Sequence, residues 1–85
     1  MEQWKLVLDE AAFHFFATSR PGERRHLLAA FEQLRANPHH KAEYFSKDAT
    51  GRTLSVWACR PFLITYWLDS FVSEVRIVNI QRVRF

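Results

Sequence analysis

The sequence has very little cysteine and no long run of apolar residues. Cys59 is its only cysteine. This excludes an intramolecular disulfide and a zinc site with several cysteines, and it is typical of a reducing compartment. No stretch approaches the roughly 20 apolar residues of a membrane-spanning helix, and the N-terminus lacks the pattern of a signal peptide. We therefore expect a cytoplasmic protein that does not insert into a membrane.

Acidic residues are scarce after Gly51, where only Asp69 and Glu74 are found. The basic residues that follow Gly51 are all arginines, namely Arg52, Arg60, Arg76, Arg82 and Arg84. Because arginine binds phosphate through its planar fork and stacks on bases, this region is a candidate anion-binding surface. The alternative is a sheet edge whose charges are simply solvated, since the net charge of the chain is only +3.

Large apolar side chains are plentiful for a chain of this size. Hydrophobic residues make up 48% of the 85 residues and include eight phenylalanines and three tryptophans. Each such aromatic buries roughly 150–250 Å². Residues 1–85 are therefore expected to form a single domain with one core.

Two helices are predicted after a short first strand, "WKLVL" at 4–8. Asp9 is a candidate N-cap for the first helix, "AAFHFFATSR". The second helix is predicted to begin at Pro21 and to end at Asn37 and Pro38. Its apolar stripe consists of Leu27, Leu28, Phe31 and Leu34. Because few residues separate the two helices, we expect an antiparallel helical hairpin.

Three strands are predicted after the helices, over 52–60, 62–69 and 74–85. The intervening segment 39–51 has no sustained period and ends in a turn signal. The predicted order is β-α-α-β-β-β, and the last three strands form an antiparallel meander. The expected fold is a two-layer α+β domain in which the N-terminal helical hairpin packs on one face of an antiparallel sheet.

Alternation along these strands predicts which side chains meet the helices. In the strand 52–60, Leu54, Val56 and Ala58 are expected to face them. The opposite face is expected to carry Thr53, Ser55, Trp57, Leu63, Thr65, Trp67, Asn79 and Gln81. Two tryptophans on a solvated face indicate a contact surface for bases or for a partner protein. The alternative is that a loop or the helices cover both indoles.

Four stretches carry a resemblance to a known family. They are "WKLVLDEAAFHFF" at the start, "LRANP" at the end of the second helix, and the strands "FLITYWLD" and "VRIVNIQRVRF". Their order, the chain length and the hairpin pattern resemble the RelE/ParE superfamily of toxins from bacterial type II toxin–antitoxin modules. The resemblance covers nearly the whole chain and implies a RelE-like fold.

The resemblance also implies partners and an activity. It implies a cognate antitoxin that holds the toxin inactive, and no cofactor or metal. RelE-like members cleave mRNA on the ribosome without metal, whereas ParE-like members inhibit DNA gyrase and lack the nuclease residues. A member that only binds an antitoxin or a DNA-bound complex is a third possibility. The modest net charge slightly favours the ParE-like alternative over ribosome binding.

The nuclease residues of RelE-like members match this sequence only in part. Thr53 and Ser55 stand near the positions of two lysines, and Leu63 stands at the position of an arginine. Arg60 is a candidate to reach the same phosphate. At the C-terminus, one nuclease branch ends in an arginine, then a histidine and a terminal aromatic residue, which resembles "RVRF".

On this alignment Arg82 matches the arginine, Arg84 replaces the histidine, and Phe85 is a ring that could stack on a base. Because the pKa of arginine lies above ~12, another residue has to move protons. Candidates for that role are Glu43, His39 and His40. The predicted catalytic set is Arg82, Arg84, Arg60 and Glu43. The predicted set for nucleic-acid or target binding is Trp57, Trp67, Phe85, Arg52, Lys47 and His40.

Overall fold

The computed structural model describes residues 3–39 and 42–83 of the chain. Its elements are β1 Lys5–Leu8, α1 Glu10–Thr18, α2 Pro21–Ala36, β2 Tyr44–Lys47, β3 Thr53–Cys59, β4 Phe62–Asp69 and β5 Glu74–Arg82. The five strands form one sheet in the order β1-β5-β4-β3-β2. In this part of the chain, neither helix has the length and apolar composition needed to cross a membrane. The protein is thus an α+β domain.

Both helices are confirmed, and α2 begins and ends as predicted. Pro21 occupies its first position, where a missing N–H has no helical acceptor to lose. Glu23 Oε1 accepts a hydrogen bond from the Arg20 backbone N–H at 3.1 Å, which completes the first turn. Asn37 ends the helix and its N–H donates to the Gln33 carbonyl at 3.0 Å. Local sequence signals therefore define this helix completely.

Asp9 has a different role from the one predicted. It occupies the N-cap position of α1, but its side chain makes no capping hydrogen bond. Its Oδ1 instead accepts a hydrogen bond from Arg76 on β5 at 3.1 Å. The carboxylate therefore connects the start of α1 to the sheet, a long-range pairing that local sequence cannot indicate.

The core lies between the helices and one face of the sheet. Its buried members from the helices are Ala12, Leu27, Ala30, Phe31 and Leu34. The strands contribute Trp57, Phe62, Ile64, Tyr66, Val75, Ile77 and Ile80. Trp4, Leu6 and Leu8, near the N-terminus of the chain, pack against this cluster. We call the opposite side of the sheet the outer face.

The predicted faces of β3 are reversed in the structure. Trp57 pairs with Ile64 and Cys59 with Phe62 across an antiparallel ladder, and directly opposed residues share one face. Trp57 is 7% exposed and belongs to the core, so its placement on the solvated face was wrong. Leu54 and Val56 lie on the outer face instead. The alternation was correct, but both faces of β3 are apolar enough that it did not indicate which one meets the helices.

The sheet contains a strand that was not predicted and is mixed rather than antiparallel. β2 has four residues, all exposed, and pairs with β3. No apolar alternation marks β2, which agrees with the lack of a sustained period over 39–51 and explains why no strand was predicted there. β1 pairs with β5 in parallel, whereas β3, β4 and β5 form the predicted antiparallel meander.

A β-bulge changes the faces of β5. Thr65 is opposite Asn79 and Tyr66 is opposite Ile77, so Val78 has no residue directly opposite it on β4. Ile77 and Ile80 are therefore both buried. Strict alternation along β5 does not anticipate this extra residue.

Candidate functional site

Arg82 ends β5 on the side of the sheet that meets the helices. It is opposite Phe62, a core residue, and its side chain reaches α2. Arg82 Nε donates to Glu23 Oε2 at 2.8 Å, and its terminal NH2 donates to Glu23 Oε1 at 2.9 Å. These two parallel bonds form the bidentate geometry with which arginine also binds phosphate. The position predicted to bind an anion thus already holds a carboxylate.

The Arg82 guanidinium packs on the ring of Phe15, which in turn contacts Phe62. Its central carbon lies 5.0 Å from the centroid of the Phe15 ring, within the range of a cation–π contact. Phe15 in turn meets Phe62 edge-on, with ring centroids 5.9 Å apart. Because Phe62 is fixed in the core, the two rings restrict where the guanidinium can go.

Arg82 and Glu23 line a polar surface cavity of about 450 Å³ together with Thr18 and Arg20. We call these four residues the Arg82 pocket. The hydrogen bond from Arg82, followed by that from the Arg20 backbone, lowers the pKa of Glu23 below its ordinary value. Glu23 is therefore ionised at neutral pH, and its lowered pKa makes it a weak proton acceptor. Two arginines and one carboxylate thus line the pocket, and the carboxylate is a poor base.

A second cationic cluster lies on the outer face around Trp67. The Arg52 guanidinium carbon is 4.0 Å from the Trp67 ring centroid, and that of Arg76 is 5.9 Å away. Arg76 is held by Asp9 at 3.1 Å and Glu74 at 3.0 Å. The Arg52 guanidinium thus covers one face of the half-buried indole, and its own outer plane is a surface on which a planar group can stack.

Arg52 is held less firmly than Arg76. Its nearest carboxylate oxygen belongs to Asp48, at 3.8 Å. Asp48 is itself engaged by its own turn: it accepts from the Thr50 hydroxyl at 2.6 Å and from the Arg52 backbone N–H at 3.0 Å. The Thr50 hydrogen bond is the largest cause that lowers the pKa of Asp48. Gly51, with φ of 85°, provides the left-handed residue that this turn requires.

The remaining predicted residues are distributed around the domain. Arg60 is exposed in the β3–β4 turn, beside the end of β5, where the Val83 N–H donates to the Pro61 carbonyl at 2.9 Å. Glu43, Lys47 and His39 are exposed near β2. Arg84, Phe85 and His40 lie outside the described residues, so their predicted roles stay predictions.

The structure does not bring the predicted residues into one site. Arg82 and Arg60 lie at one end of the sheet, with Arg82 on the helix side. Trp67 and Arg52 lie on the outer face, and Trp57 is buried in the core. Two separate cationic surfaces therefore replace the single tryptophan-bearing surface that alternation predicted.

Cys59 is a further candidate for reactivity because it carries a free thiol. Its Sγ lies 3.7 Å from Nε2 of His26 on α2. Burial raises the pKa of the Cys59 thiol, so at neutral pH it is protonated and is a poor nucleophile. Among the described residues, no group of three histidine, cysteine or carboxylate side chains could hold a metal ion.

Sequence reasoning missed Glu23 as a member of the site. In the structure it also accepts the hydrogen bond from the Arg20 backbone N–H in the first turn of α2. Its partner Arg82 lies 59 positions further along the chain. No local pattern connects the two residues, although the scarcity of acids near the C-terminal arginines could have prompted a search for a distant carboxylate.

Comparison with solved structures gives the class of fold. The domain superposes on an archaeal RelE–RelB complex from Pyrococcus horikoshii OT3 with a TM-score of 0.74 and 8% identity, covering 95% of this chain and 96% of that one. For the RelBE2 toxin–antitoxin complex of Mycobacterium tuberculosis, the TM-score is 0.72, with 13% identity and coverage of 95% and 99%. For the intact E. coli RelBE toxin–antitoxin complex, it is 0.63, with 12% identity and coverage of 96% and 99%.

The chain therefore has the fold of RelE toxins, as the sequence resemblance implied. No protein-family model matches the sequence, and comparison with curated proteins finds no match either.

Proposed function

We propose that the protein is the toxin of a type II toxin–antitoxin module, held inactive by a cognate antitoxin. The observation that carries this proposal is the match over nearly the full length of both chains to structures described as RelE–RelB or RelBE complexes. A free toxin of this kind arrests growth in the cytoplasm until its antitoxin covers it.

We further propose that growth arrest results from cleavage of ribosome-bound mRNA without a cofactor. Two features of the surface support an RNA ligand. The Arg82 pocket offers a fork suited to a phosphate, and Trp67 with Arg52 offers a ring and a cation on which a base can stack. Such stacking does not depend on the base sequence, which suits a ligand that moves through the ribosome.

In this proposal the arginines stabilise charge and do not move protons. Arg82, with Arg60 at the same end of the sheet, would bind the phosphate as negative charge develops on it. The 2′-hydroxyl would lose its proton to a base as its oxygen attacks the phosphorus, and the P–O5′ bond would break as the leaving 5′-oxygen takes up a proton. Glu43, His39 and His40 are the candidates for these proton transfers. Arg84 and Phe85 are proposed to extend the phosphate and base contacts beyond the end of β5.

A ParE-like inhibitor of DNA gyrase is the second candidate function. It is favoured by Thr53, Ser55 and Leu63, which stand where RelE-like nucleases carry lysines and an arginine. Ser55 is hydrogen-bonded to the phenol of Tyr66, whose pKa is raised by burial, and a hydroxyl cannot replace the charge of a lysine. An inhibitor of this kind would use the outer face for protein contact and would leave RNA intact.

Induction in growing cells tests the proposal directly. We expect the natural protein to arrest growth, and the double variant Arg82→Ala and Arg84→Ala to lose the arrest while keeping its fold. Arg35→Ala is the matched control, because Arg35 is also an exposed arginine paired with a glutamate, Glu32, at 2.8 Å. Growth that is unaffected by the natural protein would contradict toxin function. Relaxed plasmid DNA during arrest would favour the gyrase alternative.

A further inference from the structure

The carboxylate of Glu23 occupies the position at which Arg82 would bind a phosphate. Both of its oxygens accept from the guanidinium, at 2.8 and 2.9 Å. Oε1 also accepts from the Arg20 N–H at 3.1 Å, so the carboxylate is oriented by its own helix. Phe15 holds the guanidinium on the other side. Each side chain of the pair is therefore oriented by a further contact: Glu23 by the Arg20 N–H, and Arg82 by the Phe15 ring.

We infer that Glu23 acts as a built-in competitor that closes the Arg82 pocket, and that the ligand displacing it is a phosphodiester of single-stranded RNA. This inference rests on the proposed function. Among residues 3–39 and 42–83, Glu23 is the one acid that lines the pocket, whereas Arg20 lines it together with Arg82, and Arg60 is exposed at the same end of the sheet. Cations spaced along one edge suit a chain that carries one charge per nucleotide.

The pair is half-exposed, so the competition can be reversed. The Arg82 side chain is 50% exposed and that of Glu23 is 25% exposed. An exposed ion pair contributes little free energy. A phosphate that has to displace Glu23 from Arg82 therefore binds at most about fivefold more weakly than it would without Glu23. Glu23 therefore weakens binding of isolated RNA but does not prevent binding where several phosphates are presented together.

The test measures binding of a 2′-O-methyl RNA oligonucleotide, which offers phosphodiesters but cannot be cleaved by its own 2′-oxygen. Glu23→Gln removes the competing charge and should raise affinity by about two- to fivefold. The slope of log K against log salt should become steeper by about 0.7, because one more phosphate is neutralised. In the Glu23→Gln background, Arg82→Ala should cancel both changes.

Glu32→Gln provides the matched control. Glu32 lies on the same helix, is paired with Arg35 at 2.8 Å, and loses the same charge on substitution. If Glu23→Gln and Glu32→Gln change RNA affinity equally, the effect is one of net charge and the inference is overturned. A gain for an acidic peptide but not for the RNA would overturn the choice of ligand.

Failure of this inference can be distinguished from failure of the proposed function. A gain for Glu23→Gln that depends on Arg82 would support the competitor even if the natural protein failed to arrest growth. Conversely, growth arrest by the natural protein with no difference between the two glutamine variants would overturn the competitor alone.

Discussion

Trp57 and Trp67 lie on neighbouring strands but on opposite faces of the sheet. Trp57 is sealed in the core, whereas Trp67 is half-buried on the outer face between two arginines. Tryptophan thus packs in the core at position 57 and forms part of the outer surface at position 67. Only the pairing of Trp57 with Ile64 across the ladder distinguishes the two roles.

Substitution of these two residues tests this assignment. Trp57→Ala should cost about 3–5 kcal/mol of unfolding free energy, because it leaves a large cavity in the core. Trp67→Ala should cost about 1 kcal/mol. Urea unfolding measures both values. Since the first variant could fail to fold, Trp57→Phe and Trp67→Phe serve as milder versions, and a larger loss at Trp67 would contradict the assignment of faces.

Glu23 also gives the protein a defined response to acid. Its pKa is lowered in the folded state, first by the hydrogen bond from Arg82. A group of this kind stabilises the fold above its unfolded pKa of about 4.5 and loses that effect as pH falls through the lower folded value. The natural protein should therefore be more stable than Glu23→Gln at pH 7, and the difference should shrink as the pH falls below about 4.5 over the acid range. A urea-midpoint difference that stays constant over this range would contradict the role of the ion pair.

At the level of elements, local chemistry predicted some features of the sheet and missed others. Pro21, Asn37 and the apolar stripe between them define α2, and β4 occupies the predicted residues 62–69. β2 was missed because its four exposed residues are a strand only through their hydrogen bonds to β3. The bulge at Val78 and the parallel pairing of β1 depend on residues far away in the chain. Local patterns do not record such contacts.

Position in the sheet should determine how readily each strand opens. β4 is paired on both sides and carries the buried residues Phe62, Ile64 and Tyr66, whereas β2 is an exposed edge strand. Amide hydrogen exchange should therefore be slowest in β4 and much faster in β2. Equal protection of the two strands would contradict the observed strand order, and the amides of β3 provide an internal reference between them.

At the scale of the whole molecule, the fold was easier to predict than the site. A core built from two helices and one face of a sheet follows from apolar periodicity, and the order and lengths of the elements resemble RelE toxins. The site depends on which residues meet across long distances, as Glu23 and Arg82 do. The predicted exposure of Trp57 failed for the same reason, because only the register with β4 determines its face.

The two cationic surfaces also suggest how an antitoxin could act. An antitoxin that covers the Arg82 pocket would supply or reinforce the carboxylate that Glu23 already provides. An antitoxin that covers Trp67 and Arg52 would remove the stacking surface. Either contact would block the proposed RNA ligand without changing the fold.

The most direct test of the central claim is a map of mRNA 5′ ends in cells after brief induction of the protein. We predict new 5′ ends at codons within the ribosomal A site, absent with Arg82→Ala and Arg84→Ala together and unchanged with Arg35→Ala. Intact mRNA during a genuine growth arrest would contradict RNA cleavage and leave the gyrase alternative as the better account.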